Sequence, residues 1–117
     1  MIERKKSDSN PSLEEIWLSA DDRLFVEGDA ARHLYLMKSG SLEVYSEEDG
    51  VVIATLSQGD CFGEQAVLAG GCRGASVRAN SDACCLEIPA DSFKATIDGL
   101  SPFARTFFNA LLLELAT

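Results

Sequence analysis

Between Cys61 and Val77 the chain reads Cys-Phe-Gly-Glu-Gln-Ala-Val-Leu-Ala-Gly-Gly-Cys-Arg-Gly-Ala-Ser-Val, which sets Glu64 nine residues ahead of Arg73. On spacing alone such a pair is an ordinary exposed ion pair of small energetic weight. Its surroundings suggest other chemistry. Gly59, Gly63, Gly70, Gly71 and Gly74, with Ala66, Ala69 and Ala75, strip side chains from the backbone, so that amide N–H groups can approach an anion closely. Glu64 to Ala69 reads as a single helical turn beginning after Gly63, and a helix start adds free amides and a dipole that favours phosphate. Arg73 supplies the planar, bidentate fork that phosphate oxygens accept. A carboxylate beside a phosphate is repulsive, so Glu64 belongs there only if Arg73 neutralises the anion while Glu64 accepts a hydrogen bond from a neutral hydroxyl. A ribose phosphate carries both groups. The common nucleotide loops are absent: there is no GxxxxGK[ST], and no GxGxxG between a strand and a helix.

The elements that must position these residues are mostly short strands. From Leu24 to Pro89, apolar segments are cut by glycine and acidic turns, the pattern of an antiparallel sandwich or barrel. Arg23 to Glu27 alternates weakly before the Gly28-Asp29 turn. Leu34 to Met37 and Leu42 to Tyr45 flank Lys38-Ser39-Gly40-Ser41 and read as a hairpin, with Leu42 and Val44 on one face and Glu43 and Tyr45 on the other. Val51 to Leu56 is a continuous apolar run, expected as a core strand. Ser76 to Ala79 and Ala83 to Ile88 form two more strands, the second ended by Pro89. Ala90 to Asp98 has helical spacing, with Gly99 where a C-cap glycine belongs. Ser101-Pro102 has the form of an N-cap followed by proline, opening a last, almost all-round apolar helix from Phe103 to about Leu115.

Bulk properties bound the function. At 117 residues the chain is one domain, and the 46% apolar fraction is that of a globular protein. The net charge of −9 disfavours direct nucleic-acid contact, since a phosphate backbone must be neutralised by lysine and arginine. Residues 1 to 12, with Arg4, Lys5 and Lys6, read as a flexible tail or linker ahead of a domain over 13–117. No apolar run is long enough for a membrane span and no secretory signal opens the chain, which points to a cytoplasmic location. Cys61, Cys72, Cys84 and Cys85 lack CxxC spacing and read as reduced thiols, so no metal site is expected. His33, the one histidine, has no acid or nucleophile partner evident in sequence, and Trp17, Tyr35 and Tyr45 read as packing residues, so no enzyme is expected.

The run Phe62-Gly63-Glu64, then Ala66, then Arg73 followed by Ala75-Ser76-Val77, resembles the phosphate-binding cassette of cyclic nucleotide-binding domains. The resemblance covers about residues 14 to 115. It implies an eight-stranded antiparallel jelly-roll β-barrel over about 14–89, mainly β, with a short cassette helix and two C-terminal helices over about 90–98 and 102–115. It further implies that Glu64 takes the ribose 2′-hydroxyl, Arg73 takes the cyclic phosphate, and amides at Gly63, Ala66 and Gly74 complete the cradle. The full expected ligand set is Gly63, Glu64, Gln65, Ala66, Arg73, Gly74, Ala75 and Ser76. Gln65 stands where the family usually has leucine or isoleucine, and Cys72 where several members have proline or arginine. Gly74 replaces a hydroxyl residue that often helps read guanine, which favours cAMP over cGMP. The expectation is a non-catalytic sensor that relays binding through its C-terminal helices, with an effector the sequence does not name. The alternative is a structural or dimerisation barrel, a homodimer joined through the last helix.

Overall fold

The computed structural model describes residues 2–8, 10–11, 13–107 and 110. Among the described residues nine strands form two antiparallel sheets, and these close no barrel. In chain order the elements are β1 (Glu3–Lys6), β2 (Glu14–Leu18), β3 (Arg23–Phe25), β4 (His33–Ser39), β5 (Leu42–Tyr45), β6 (Val52–Leu56), β7 (Cys61–Phe62), α1 (Glu64–Ala69), β8 (Ser76–Ala79), β9 (Ala83–Pro89) and α2 (Ala90–Asp98). One sheet runs β1-β2-β9-β4-β7 and the other β3-β8-β5-β6. The mainly β reading thus holds, while the eight-stranded closed barrel is corrected to two open sheets. The extra count comes from strands too short or too polar to show a hydrophobic period.

Strand alternation builds the core. Ile16 and Leu18 of β2, Tyr35 and Met37 of β4, and Ala83 and Cys85 of β9 point inward from one sheet. Leu42, Val77 and Ala79 meet them from the other, and all nine side chains are buried. Each isolated sheet would leave one apolar face in water, so face-to-face burial is what holds the two together.

Three readings from sequence need correction. Glu3–Lys6 is not a tail: it pairs antiparallel with β2, and Arg4 donates to the buried Glu87 carboxylate on β9. All four of its residues are exposed, so backbone pairing holds it and hydropathy carries no trace of it. β4 and β5 are not a hairpin, because β4 pairs with β7 and β9 while β5 pairs with β6 and β8. Gly40, at φ 80, carries the chain across; a Cβ there would lie 2.2 Å from the Asp82 carbonyl oxygen. Finally, β6 is an edge strand, not a core strand: Val52 and Ile53 are exposed, and only Leu56 packs partly against the core. A continuous apolar run fits a buried strand or an exposed edge equally well.

Smaller differences have local causes. Tyr45 is buried although its period placed it outward, because the chain shifts register beside Val44 and the Arg78 guanidinium lies 4.3 Å above its ring. α1 and α2 occupy the ranges expected of them, but Gly99 caps α2 at φ −80, so its left-handed freedom is unused. Residues 102–107 are helical, and the Ser101 hydroxyl accepts from the Ala104 amide as an N-cap. The remainder of the expected last helix, apart from Ala110, lies outside the described residues.

Candidate functional site

The site is assembled where β7 turns into α1. Phe62 is buried against Tyr35, with ring centroids 5.2 Å apart. Gly63 follows at φ 83, a left-handed conformation that glycine adopts without strain, and starts α1. A Cβ on Gly63 would sit 2.8 Å from Arg73 Nη1, so close backbone approach also demands glycine here. Gly70 ends α1 at φ 67, and Gly71 donates back to the Ala66 carbonyl.

The strand leading to β8 is then zipped to the turn after β3. The Gly28 amide donates to the Arg73 carbonyl and the Arg73 amide to the Asp29 carbonyl, each at 2.8 Å, and Ala31 donates to Gly71. This pairing points the Arg73 side chain inward. Its guanidinium is buried 4.1 Å above the Phe25 ring and 5.8 Å from that of Tyr35. Nη1 donates to the Gly63 carbonyl at 2.8 Å, and Nη2 donates to the His33 carbonyl. Among the described residues no carboxylate forms an ion pair with it. Burial lowers its pKa from the ordinary arginine value, an effect countered by the neighbouring Tyr35, Asp29 and Glu64. A guanidinium has five N–H donors, and two backbone carbonyls leave it donors to spare.

Glu64 is the first residue of α1 and is 7% exposed. Its Oε2 is buried and meets no hydrogen-bond partner among the described groups. Glu64 and Arg73 therefore do not pair with each other; both line one cavity of about 870 Å³. Gly63, Gln65, Ala66, Gly74 and Ala75 line it too, and the apolar side is supplied by Phe25, Val44, Ile53 and Val77. At Gly74 an added Cβ would meet nothing within 4 Å, so the absence of a side chain there is not imposed by packing.

Of the eight residues expected from sequence, seven come together around this cavity and Ser76 does not. Ser76 is fully buried; its hydroxyl accepts from the Glu27 amide at 2.9 Å and donates to Glu47 Oε2 at 2.8 Å. It clips the turn after β3 to the turn after β5. That hydrogen bond, with help from Arg23, holds the Glu47 carboxyl below its ordinary range. Sequence reasoning missed Phe25 and the His33 carbonyl, which hold Arg73 from segments far off in the chain and leave no local signal. Cys61 and Cys72 also line the cavity and stood in plain view within the opening stretch. Tyr35, read as a packing residue, is indeed buried, and its hydroxyl donates to Glu87 Oε2 at 3.0 Å. Among the described residues no cluster of three or more His, Cys, Asp or Glu is arranged to hold a metal ion, and no helix is long and apolar enough to cross a membrane.

Comparison with known proteins agrees with this geometry. Residues 15–99 match the family model for the cyclic nucleotide-binding domain. A cAMP-dependent protein kinase regulatory subunit from Emericella nidulans is 34% identical over 94 residues, 80% of this chain and 23% of that protein. The regulatory domain of Toxoplasma gondii PKA, solved with cAMP, superposes with a TM-score of 0.68 at 33% identity, over 73% of this chain and 33% of that one. The Thermus thermophilus catabolite activator protein superposes at 0.74 with 28% identity, over 87% and 49% of the respective chains. The chain spans less than a quarter of the length of the curated relatives it matches. A match over most of the chain, together with a buried glutamate and arginine facing one cavity, identifies it as a member of the cyclic nucleotide-binding domain family.

Proposed function

We propose that this domain is a non-catalytic sensor that binds a cyclic nucleotide monophosphate, with cAMP preferred over cGMP. The observation that carries the reading is a buried carboxylate oxygen without a partner and a buried guanidinium without a counter-ion among the described residues, both on the wall of one cavity. Each is costly unliganded, and a ribose cyclic phosphate satisfies both. Arg73 takes the phosphate and Glu64 accepts from the ribose 2′-hydroxyl, while amides of Gly63, Ala66 and Gly74 close around the anion. Gln65 and Ala75 complete the wall; Ser76 acts only by holding the adjoining turns. The cAMP preference rests on Gly74, which offers no hydroxyl to guanine. Glu64 and Arg73 bind without supplying an attacking water, so the ligand is expected to survive prolonged incubation unchanged. Isothermal titration with cAMP and cGMP tests the reading, and no heat with either nucleotide overturns it.

Relay of binding runs through α2, which follows β9 directly, and the helix that starts at residue 102 after it. A ligand moves such helices only by binding their two arrangements with different affinity. Amide exchange over residues 90–107 is expected to change on addition of cAMP. A second reading, association of two copies through the last helix, is favoured by Phe103 and Phe107, which are 81% and 61% exposed. Sedimentation with and without nucleotide separates the two: a dimer indifferent to cAMP supports the structural role.

A further inference from the structure

The four thiols occupy three different settings. Cys84 and Cys85 are buried in β9, where desolvation pushes Cys85 up to about 12. Cys61 in β7 is half-buried, and burial together with the nearby Glu64 carboxylate raises it as well. Cys72 is the one exposed thiol of the four. Gly70 and Gly71 precede it, and the side chain of Arg73, which follows, is drawn away over the Phe25 ring. Cys72 also lines the same cavity as Glu64, whose Oε2, buried and without a partner among the described residues, independently marks that space as built for a ligand. Thiol reactivity requires that an attacking or attacked sulfur be reachable, and exposure singles out Cys72.

We propose that Cys72 is a thiol–disulfide exchange site on the wall of the cavity, and that a small disulfide such as oxidised glutathione, once joined there, occupies the space a nucleotide needs. In the exchange the Cys72 thiolate attacks one sulfur of the incoming disulfide. A new S–S bond forms to Cys72 Sγ as the original S–S bond breaks, and the departing thiolate takes the electron pair and then the proton that Cys72 released. A dithiol reductant reverses the step. The glutathionyl group is itself an anion, so on the wall of this cavity it competes with a cyclic phosphate by charge as well as bulk. The consequence for binding rests on the cyclic nucleotide reading; the position of the reactive thiol does not.

The test treats the full chain with oxidised glutathione and follows intact mass, peptide mass and cAMP titration. The expected result is a first adduct on Cys72, ahead of Cys61, Cys84 and Cys85, with cAMP affinity weakened about tenfold or more and restored by dithiothreitol. The Cys72→Ser variant should take up no early adduct, and treatment should leave that variant's own affinity where it began. A first adduct on another cysteine, or a Cys72 adduct that binds cAMP as the untreated protein does, overturns the proposal. If the untreated protein binds neither cAMP nor cGMP, the sensor reading has failed separately. The adduct must then still slow amide exchange across Gly63 to Ala66, and unchanged exchange there overturns the proposal too.

Discussion

Replacing Glu64 with alanine should move stability and affinity in opposite directions. Glu64 Oε2 is buried with no hydrogen-bond partner among the described residues. An unsatisfied buried polar group costs about 1–3 kcal/mol, more when charged, and removing it returns that cost. The carboxylate also sits in the first turn of α1, where the helix start contributes about 0.3–1 kcal/mol in its favour. The difference leaves Glu64→Ala about 1 kcal/mol more stable than the parent, a rise in Tm of roughly 3–5 °C for a domain of this size. Binding should suffer instead. A hydrogen bond between a carboxylate and the ribose 2′-hydroxyl contributes about 1.5–3 kcal/mol, so Kd for cAMP should weaken roughly 10- to 150-fold. The assay is a cycle: calorimetric titration of parent and variant, each with cAMP and with 2′-deoxy-cAMP. Deleting the hydroxyl should cost the parent a similar factor and the variant almost nothing, because the lost bond is the same one. A variant that binds cAMP as tightly as the parent, or that melts lower without ligand, refutes the reasoning.

Other outcomes follow from the same geometry. Arg73→Lys should lose most cAMP affinity, since an ammonium cannot donate to the Gly63 and His33 carbonyls and a phosphate with one planar fork; affinity within twofold of the parent by titration would contradict this. Gly63→Ala should destabilise the domain by about 1–2 kcal/mol in urea unfolding, because of its φ of 83 and the Arg73 Nη1 atom in the way of its Cβ. Gly40→Val should cost about 3 kcal/mol or more, since its Cβ would overlap the backbone of Asp82 and Ala83; normal unfolding of that variant would mean the crossing between sheets is misplaced. Stability should also fall in alkali. Cys85 is raised from 9.0 to about 12 in the folded state, chiefly by burial, so it stays neutral where the unfolded chain ionises. Its contribution is complete below pH 9.0 and declines as pH rises toward about 12, by up to about 1.4 kcal/mol per pH unit, and Tyr35, raised by burial and by Glu87, adds in the same sense. Urea midpoints that are level from pH 8 to 10 would count against this burial.

Much of the domain was legible in residue order because its causes are local. Gly63 and Gly70 bracket α1 by their left-handed conformations, and Pro89 and Gly99 bracket α2, so both helices announced their ends within a few residues. The chemistry of Glu64 and Arg73 was legible as well, since a carboxylate and a guanidinium among glycines have few sensible joint uses. That the two do not pair became visible only when α1 set Glu64 facing the cavity and the Gly28-Asp29 turn drew Arg73 under Phe25 and toward the His33 carbonyl. The same holds for Ser76: next to the cavity-lining Ala75 in sequence, it begins β8 with its hydroxyl turned to the Glu27 amide and Glu47. β1, with every residue exposed, and β7, with two residues, had no hydrophobic period to read. Local stereochemistry and side-chain chemistry are written residue by residue. Which strand pairs with which, and which side chain meets the cavity, depends on contacts between segments far apart in the chain, whose register is chosen by burying the two sheet faces together.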